Sequence, residues 1–267
     1  MPAIVPSYVA KLTRAKKHID DLETEVKRYA AGDPYRVADF RKGKKKAWRL
    51  EFTADPANTD IPIIAADVIY NLRSALDHLM SCVVANKDRT SAIFPIYFQG
   101  VGEAIVPGEN QERTKFRLRW ASDVKTLPHD AITILKRLQP PDDAPGGDET
   151  NLLRLINRLS NRDRHEKLPV IAAGLKGFMT QFRESDGTLR QAIGQPNVGH
   201  VLENHAELLD MPHDAMDVQV KGIPEIAIKV GEQNKIRRYV TIPNTLTDAA
   251  EHIESTVFPL LVPFVRR

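Results

Sequence analysis

The stretch from Asp67 to Ser81, DVIYNLRSALDHLMS, constrains the fold most, because its residues separate onto two faces when wound as an α-helix at about 100° per residue. One face is apolar throughout and wide enough to require burial against two neighbouring elements. Its members are Ile61, Ala65, Val68, Ile69, Leu72, Ala75, Leu76, Leu79, Met80 and Val83. The sequence therefore predicts a central helix that is buried along one side.

The opposite face of this helix carries residues that are poor helix formers. Arg73 and Asp77 lie beside a polar line with spacings of four, three and four. The members of that line are Asp67, Asn71, Ser74 and His78. A solvated helix face is normally built from Glu, Lys, Gln and Arg, which favour the helix more strongly than Asp, Asn, Ser and His do. The residue types on this face therefore indicate a functional site.

Composition limits the class of protein. The chain has 267 residues, 42% of them hydrophobic, which is enough for a sizeable core. The single cysteine, Cys82, excludes an internal disulfide and a cysteine-based metal cluster. No apolar run reaches the ~18 residues of a membrane span, and the N-terminus lacks a signal-peptide pattern, so we expect a cytoplasmic protein with no membrane partner. A net charge of +3 does not by itself indicate a polyanion partner.

Periodicity and capping residues predict the other elements of the first part of the chain. A helix from Ser7 to near Gly32 and a β-hairpin from Tyr35 to Phe52 precede the central helix, which is expected to end near Asn86. Alternating basic and apolar residues from Lys115 to Trp120 favour a strand. A further helix is predicted from Pro128 to Leu138.

A later helix repeats the polar pattern of the central helix. It is expected to be capped by Asp148 or Thr150, and its polar residues again recur at spacings of four, three and four. These residues are Arg154, Arg158, Asn161 and His165. If the two polar lines face each other, their side chains meet in one pocket.

The last part of the chain changes to short β-prone runs after Pro169, with a hairpin turn predicted at Ser185-Asp186-Gly187. The connections are too short for parallel crossovers, so the sheet should be antiparallel. A C-terminal helix capped by Thr245 or Thr247 follows. The predicted fold is α+β: residues 1–168 form a helical bundle with a β-hairpin and carry the site, and residues 169–267 form an antiparallel sheet with a C-terminal helix, packed with the bundle as one unit.

The segment Arg73-Ser-Ala-Leu-Asp77-His78 resembles the motif of the HEPN superfamily, in which an arginine is followed, after four to six residues, by a histidine. HEPN proteins are helical, and their active members cleave RNA without a metal ion. The pairing of NLRSALDHL with a later LSNRDRHEKL also resembles a family of uncharacterised bacterial proteins. Ser74 stands where HEPN nucleases often have Asn, Asp or His, and the C-terminal sheet is not part of the minimal HEPN bundle.

This resemblance implies a metal-independent endoribonuclease. His78 would act as the general acid or base, Arg73 would hold the scissile phosphate, and Asp77 would orient Arg73. His165 would complete the catalytic group. The residues expected to bind RNA in the same pocket are Asn71, Arg158, Asn161, Asp163 and Arg164.

Two other interpretations use the same residues. The pocket could belong to a module that binds a nucleotide, a nucleic acid or a protein partner and breaks no bond. Alternatively, the residues form a structural network, in which Arg73 and Asp77 make an ion pair across one helical turn and His78 is satisfied by Asn161 or Asp163.

We expect no metal or cofactor, because the candidate ligands lack the His-x3-His or Glu-x2-His spacing of helical metal sites. Those candidates are His78, His165, Asp77, Asp163 and Glu166. HEPN-like sites usually form where two motif helices meet, so the resemblance also implies a two-fold homodimer.

Overall fold

The structure is a computed structural model that describes residues 5–42, 45–84, 92–98, 100–105, 111–141, 151–193, 207–208, 214–233 and 236–266. The chain forms two compact units, each built from separate parts of the sequence. The helical unit comprises Met1–Asp20, Ile64–Lys167 and Asn244–Arg267. The sheet unit comprises Asp21–Ile63 and Leu168–Pro243.

The regular elements follow the chain in a mixed order. The α-helices are α1 (Ser7–Ala31), α2 (Ile61–Val83), α3 (Gln111–Val124), α4 (His129–Arg137), α5 (Leu152–Asp163), α6 (Asn244–His252) and α7 (Phe258–Leu261). The strands are β1 (Tyr35–Lys42), β2 (Lys45–Phe52), β3 (Val170–Arg183), β4 (Leu189–Ile193), β5 (Glu207–Leu208), β6 (Met216–Gln233) and β7 (Ile236–Ile242).

The α2 helix has the buried face that its sequence predicts. All ten residues of the apolar stripe are buried. Each Leu or Ile removed from water contributes about 1.5–3 kcal/mol, so this stripe fixes which face of α2 points outward. The hydroxyl of Thr59 accepts a hydrogen bond from the Ile61 backbone N–H at 3.2 Å and caps the first turn. The helix ends at Val83, and the predicted end near Asn86 lies outside the described residues.

Within the helical unit, α1 packs against the C-terminal helices. The Tyr8 ring stands edge-on to Phe258 with centroids 5.1 Å apart, and Lys16 forms a 2.6 Å ion pair with Glu254. The C-terminal helix is irregular: a π-helical turn, Ile253–Val257, follows α6 and leads into α7. Of the described helices, none has the length and apolar composition to cross a membrane.

The sheet unit contains two antiparallel sheets. The hairpin pairs Tyr35 opposite Phe52, as predicted, and β5 extends it to the order β1-β2-β5. The second sheet has the order β4-β3-β6-β7. Gly187 adopts a φ of 88° between β3 and β4, which is why a glycine serves in the predicted turn. One buried hydrophobic cluster of this unit consists of Trp48, Leu50, Leu175, Phe182 and Ala215.

The α+β class, the antiparallel sheets and the C-terminal helix agree with the sequence prediction, but the division of the chain differs from the predicted boundaries. The hairpin lies in the sheet unit because Trp48 and Leu50 pack into its core with Leu175. The C-terminal helices lie in the helical unit, where Phe258 packs on Tyr8. The packing of bundle and sheet as one unit stays a prediction.

The strand predicted from Lys115 to Trp120 is wrong, since these residues lie within α3. Trp120 and Val124 are buried one turn apart, and Phe116 lies half-buried one turn before them. Burial at every fourth residue is the period of a helix, and it outweighs the local alternation of basic and apolar residues.

Candidate functional site

A pocket of about 800 Å³ lies in the helical unit, between α2, α3, α5 and an extended segment, residues 93–97, that we call the wall segment. Five arginines and two carboxylates are among the described residues that line it. The arginines are Arg73, Arg119, Arg154, Arg158 and Arg164, and the carboxylates are Asp77 and Glu112. The pocket therefore carries an excess of positive charge.

Arg73 is a structural centre of this pocket, and only 9% of its side chain is exposed. Its guanidinium forms a two-pronged ion pair with Asp77, with Nε to Oδ2 at 3.2 Å and Nη2 to Oδ1 at 2.9 Å. Nη1 donates to Asn157 Oδ1 at 3.2 Å, and Nη2 donates to the Phe94 carbonyl at 2.9 Å. The guanidinium is thus used to join α2, α5 and the wall segment.

The wall segment has no regular secondary structure, and side chains take the place of a sheet partner. Asp77 Oδ1 accepts from the Phe94 N–H at 2.8 Å. Buried Gln139 donates to the Pro95 carbonyl at 3.0 Å and accepts from the Tyr97 N–H at 2.7 Å. These bonds satisfy backbone groups that would otherwise be costly to bury, so the segment keeps one shape.

The α5 helix presents its polar face to the pocket because its opposite face is buried. Leu155, Ile156 and Leu159 are each 1% exposed. Asn151 caps the helix by accepting from the Arg154 N–H at 2.9 Å, while the predicted caps at positions 148 and 150 lie outside the described residues. Arginine and asparagine side chains recur along the face that remains. They are Arg154, Asn157, Arg158, Asn161 and, at the C-cap, Arg164.

Aromatic side chains form another part of the lining. The Tyr97 and Phe116 rings are tilted by 49° with centroids 5.7 Å apart. The Tyr97 hydroxyl donates to Asp123 Oδ2 at 2.6 Å. Burial, and then this hydrogen bond, raise the pKa of Tyr97 above its usual value, so its hydroxyl remains protonated at neutral pH. Arg119 lies one turn after Phe116 on the same face of α3.

Five of the nine residues proposed from the sequence line the pocket together. They are Arg73, Asp77, Arg158, Asn161 and Arg164. These residues come from α2, from α5 and from the C-cap of α5, the two helices whose polar faces were expected to meet.

The two predicted catalytic histidines are not among the residues that line the pocket. His78 follows Asp77 directly, so its side chain is turned about 100° around α2 from the Asp77 direction. His165 lies beyond the end of α5, which stops at Asp163, and its N–H closes a tight turn onto the Arg162 carbonyl. The predicted helical line through His165 is broken by this turn.

Two predicted binding residues are also absent from the lining of the pocket. Buried Asn71 donates to the Asp67 carbonyl of its own helix at 2.8 Å. Asp163 is half-buried, and its pKa is raised, first by burial and then by the nearby charge of Asp67. Neither residue is in the lining of the pocket.

Sequence reasoning missed Asn157, although it lies three residues after Arg154 and therefore on the same helical face. It also missed Tyr97 and Phe116 as pocket residues. Tyr97 belongs to a segment without periodicity, so only the folded chain could reveal its position.

Comparison with known proteins found no match to the chain among family models, curated proteins or solved structures. Within the ranges that the structure describes, no group of three or more His, Cys, Asp or Glu residues is placed to hold a metal ion.

Proposed function

We propose that the protein binds a phosphate-bearing ligand, a nucleotide or RNA, in the arginine pocket of the helical unit. The observation that carries this proposal is the excess of arginine in the lining. The Arg73–Asp77 pair is neutral as a unit, which leaves four arginines and Glu112 around the remaining surface. Guanidinium groups bind phosphate oxygens through paired charged hydrogen bonds, each worth about 1.5–3 kcal/mol.

The Arg73 network supports the same function indirectly, because it positions other parts of the pocket. Its guanidinium holds Asn157 Oδ1 at 3.2 Å, so the amide NH₂ of Asn157 is directed away from Arg73. The network also fixes the wall segment through Phe94. Arg73 is therefore a positioning residue in this proposal, and Arg154, Arg158 and Arg164 are the phosphate-binding residues.

Binding has more support than cleavage. The ribonuclease inferred from the resemblance uses a histidine for proton transfer beside the bound phosphate, and none of the described residues that line the pocket is a histidine. The donors of Arg73 are already engaged within the protein. Endoribonuclease activity through His78 and His165 stays a prediction.

The HEPN-like bundle and the homodimer remain part of the proposal. The segments that carry the resemblance, NLRSALDHL and LSNRDRHEKL, lie on or next to α2 and α5. The Arg73–Asn157 hydrogen bond joins these two helices. Light scattering at micromolar concentration tests the dimer. A mass twice that of one chain is expected, and a single-chain mass would contradict it.

The binding proposal is tested by fluorescence anisotropy with a labelled short single-stranded RNA. We expect the double variant Arg154→Gln, Arg158→Gln to bind about tenfold more weakly for each arginine removed. Arg190→Gln is the matched control, because this arginine is 59% exposed on β4 in the sheet unit. Equal affinity of the double variant and the parent would contradict the proposal.

The same samples test cleavage. The parent protein is incubated with the RNA in excess chelator, and the products are separated on a denaturing gel. Intact RNA together with tight binding is the expected result. If the parent cleaves the RNA and His78→Ala does not, the result would instead support the ribonuclease hypothesis.

A further inference from the structure

The pocket combines its arginines with an aromatic surface that is held from behind. Tyr97 stands edge-on to Trp120 with centroids 6.3 Å apart, and Phe116 stands edge-on to Phe98 at 6.3 Å. The hydroxyl bond to Asp123 fixes the Tyr97 ring further. Both rings are only half-buried, so part of each ring surface faces the pocket. Fixed and partly exposed rings are what a nucleobase stacks on.

Cationic groups continue from this aromatic surface. Arg119 lies three residues after Phe116 on α3 and is exposed. On α5, the row from Arg154 to Arg164 covers ten helical steps, which is about 15 Å. Stacked nucleotides advance about 3.4 Å each along a strand, so this row matches about four of them. A single mononucleotide would leave much of the row unused.

We propose that the ligand is a single-stranded segment of nucleic acid, with at least one base stacked on Tyr97 and Phe116 and its phosphates along the arginine row of α5. This inference rests on the proposed function, because the same arginines hold the phosphates. A single strand can turn a base out onto the rings, whereas a duplex keeps its bases paired and stacked on each other. The pocket should therefore prefer a single strand with bases over both a duplex and a strand without bases.

The experiment compares three fluorescent probes that carry the same number of phosphates: an oligouridine, an abasic strand, and a duplex hairpin. We expect the parent protein to bind oligouridine about tenfold more tightly than the abasic strand, which is the contribution of roughly one stacked base. Phe116→Leu should remove this preference and leave the affinity for the abasic strand unchanged. Phe116→Tyr is the matched control, since it retains a ring and should keep the preference.

The outcomes separate the two proposals. If the parent binds oligouridine and the abasic strand equally well, the base-stacking surface is refuted and the phosphate pocket stands. If neither strand binds, the proposed function fails as well. A Phe116→Leu protein that loses affinity equally for both strands would also refute base stacking. The comparison of probes on the parent protein needs no variant, so it decides the question even if Phe116→Leu does not fold.

Discussion

Replacing Arg73 tests whether this arginine has a structural or a catalytic role. Arg73→Met keeps an unbranched side chain that favours a helix but removes the guanidinium, its three hydrogen bonds and its ion pair with Asp77. The change leaves the Asp77 carboxylate without its cation and leaves the Phe94 carbonyl and Asn157 Oδ1 without their donor. The wall segment loses one of its attachments to α2.

The cost follows from the burial of the pair. Breaking a buried ion pair by removing one partner costs about 3–5 kcal/mol. The Asp77 side chain is 24% exposed and still accepts from the Phe94 N–H, so the lower value of about 3 kcal/mol applies. At ~2–4 °C per kcal/mol for domains of this size, Tm should fall by about 6–12 °C.

The assay is thermal unfolding followed by circular dichroism, with Arg158→Gln as the control. Arg158 is exposed in the same pocket, so its replacement should change stability by no more than about 0.5 kcal/mol while weakening RNA binding. If Arg73→Met melted within about 2 °C of the parent, the structural role would be refuted. Arg73 would then again be a candidate phosphate clamp.

Three further predictions concern charge. For single-stranded RNA, the slope of log affinity against log salt should be about −2 to −3 for three to four phosphate contacts. Arg154→Gln with Arg158→Gln should reduce its magnitude by about 1.4, which is ~0.7 for each contact removed, and an unchanged slope would place the phosphates elsewhere. The raised pKa of Asp163 means that its ionisation costs stability, and this cost develops as pH rises above ~3.9, the unfolded value, through the folded pKa. Asp163→Asn should therefore raise Tm at neutral pH but not at about pH 3, and equal Tm values at neutral pH would contradict this. Burial lowers the pKa of His252, so stability should fall as pH drops below ~6.5 toward the folded pKa. His252→Gln should reduce that fall in a series of melting curves, and an identical pH profile would count against it.

Signals that are local in the sequence predicted much of the fold. The ten apolar residues of α2 have helical spacing, and all ten are buried. The hairpin spans the predicted residues from Tyr35 to Phe52, and the β3–β4 turn follows from Gly187. Each of these features depends on neighbours within a few residues, which periodicity and turn chemistry report directly.

Features that depend on distant partners were not predictable. The sequence suggests that Arg117 lies at the surface, but it is buried, and its guanidinium donates to the carbonyls of Gly100 and Glu103. The apolar Leu118 beside it is instead 60% exposed. The alternation in α3 was misleading for this reason.

In the candidate site too, local sequence patterns were predictable and contacts between distant residues were not. Three members of the polar line on α5 line the pocket: Arg154, Arg158 and Asn161. On α2 the lining residues are Arg73 and Asp77, which lie beside the polar line and not on it. The wall segment has no periodic pattern, and Gln139, which holds it, lies 42 residues from its bonding partner Tyr97. His165 does not line the pocket, because the polar pattern continues past the residue where α5 ends.

Locating the bound RNA on the protein is the most direct test of the arginine pocket. A single-stranded RNA containing 4-thiouridine is cross-linked to the parent protein by ultraviolet light, and the modified peptides are identified by mass spectrometry. We predict cross-links in the wall segment, in α3 around Phe116 and in α5 around Arg158. Cross-links confined to the sheet unit would contradict the assignment of the pocket as the binding site.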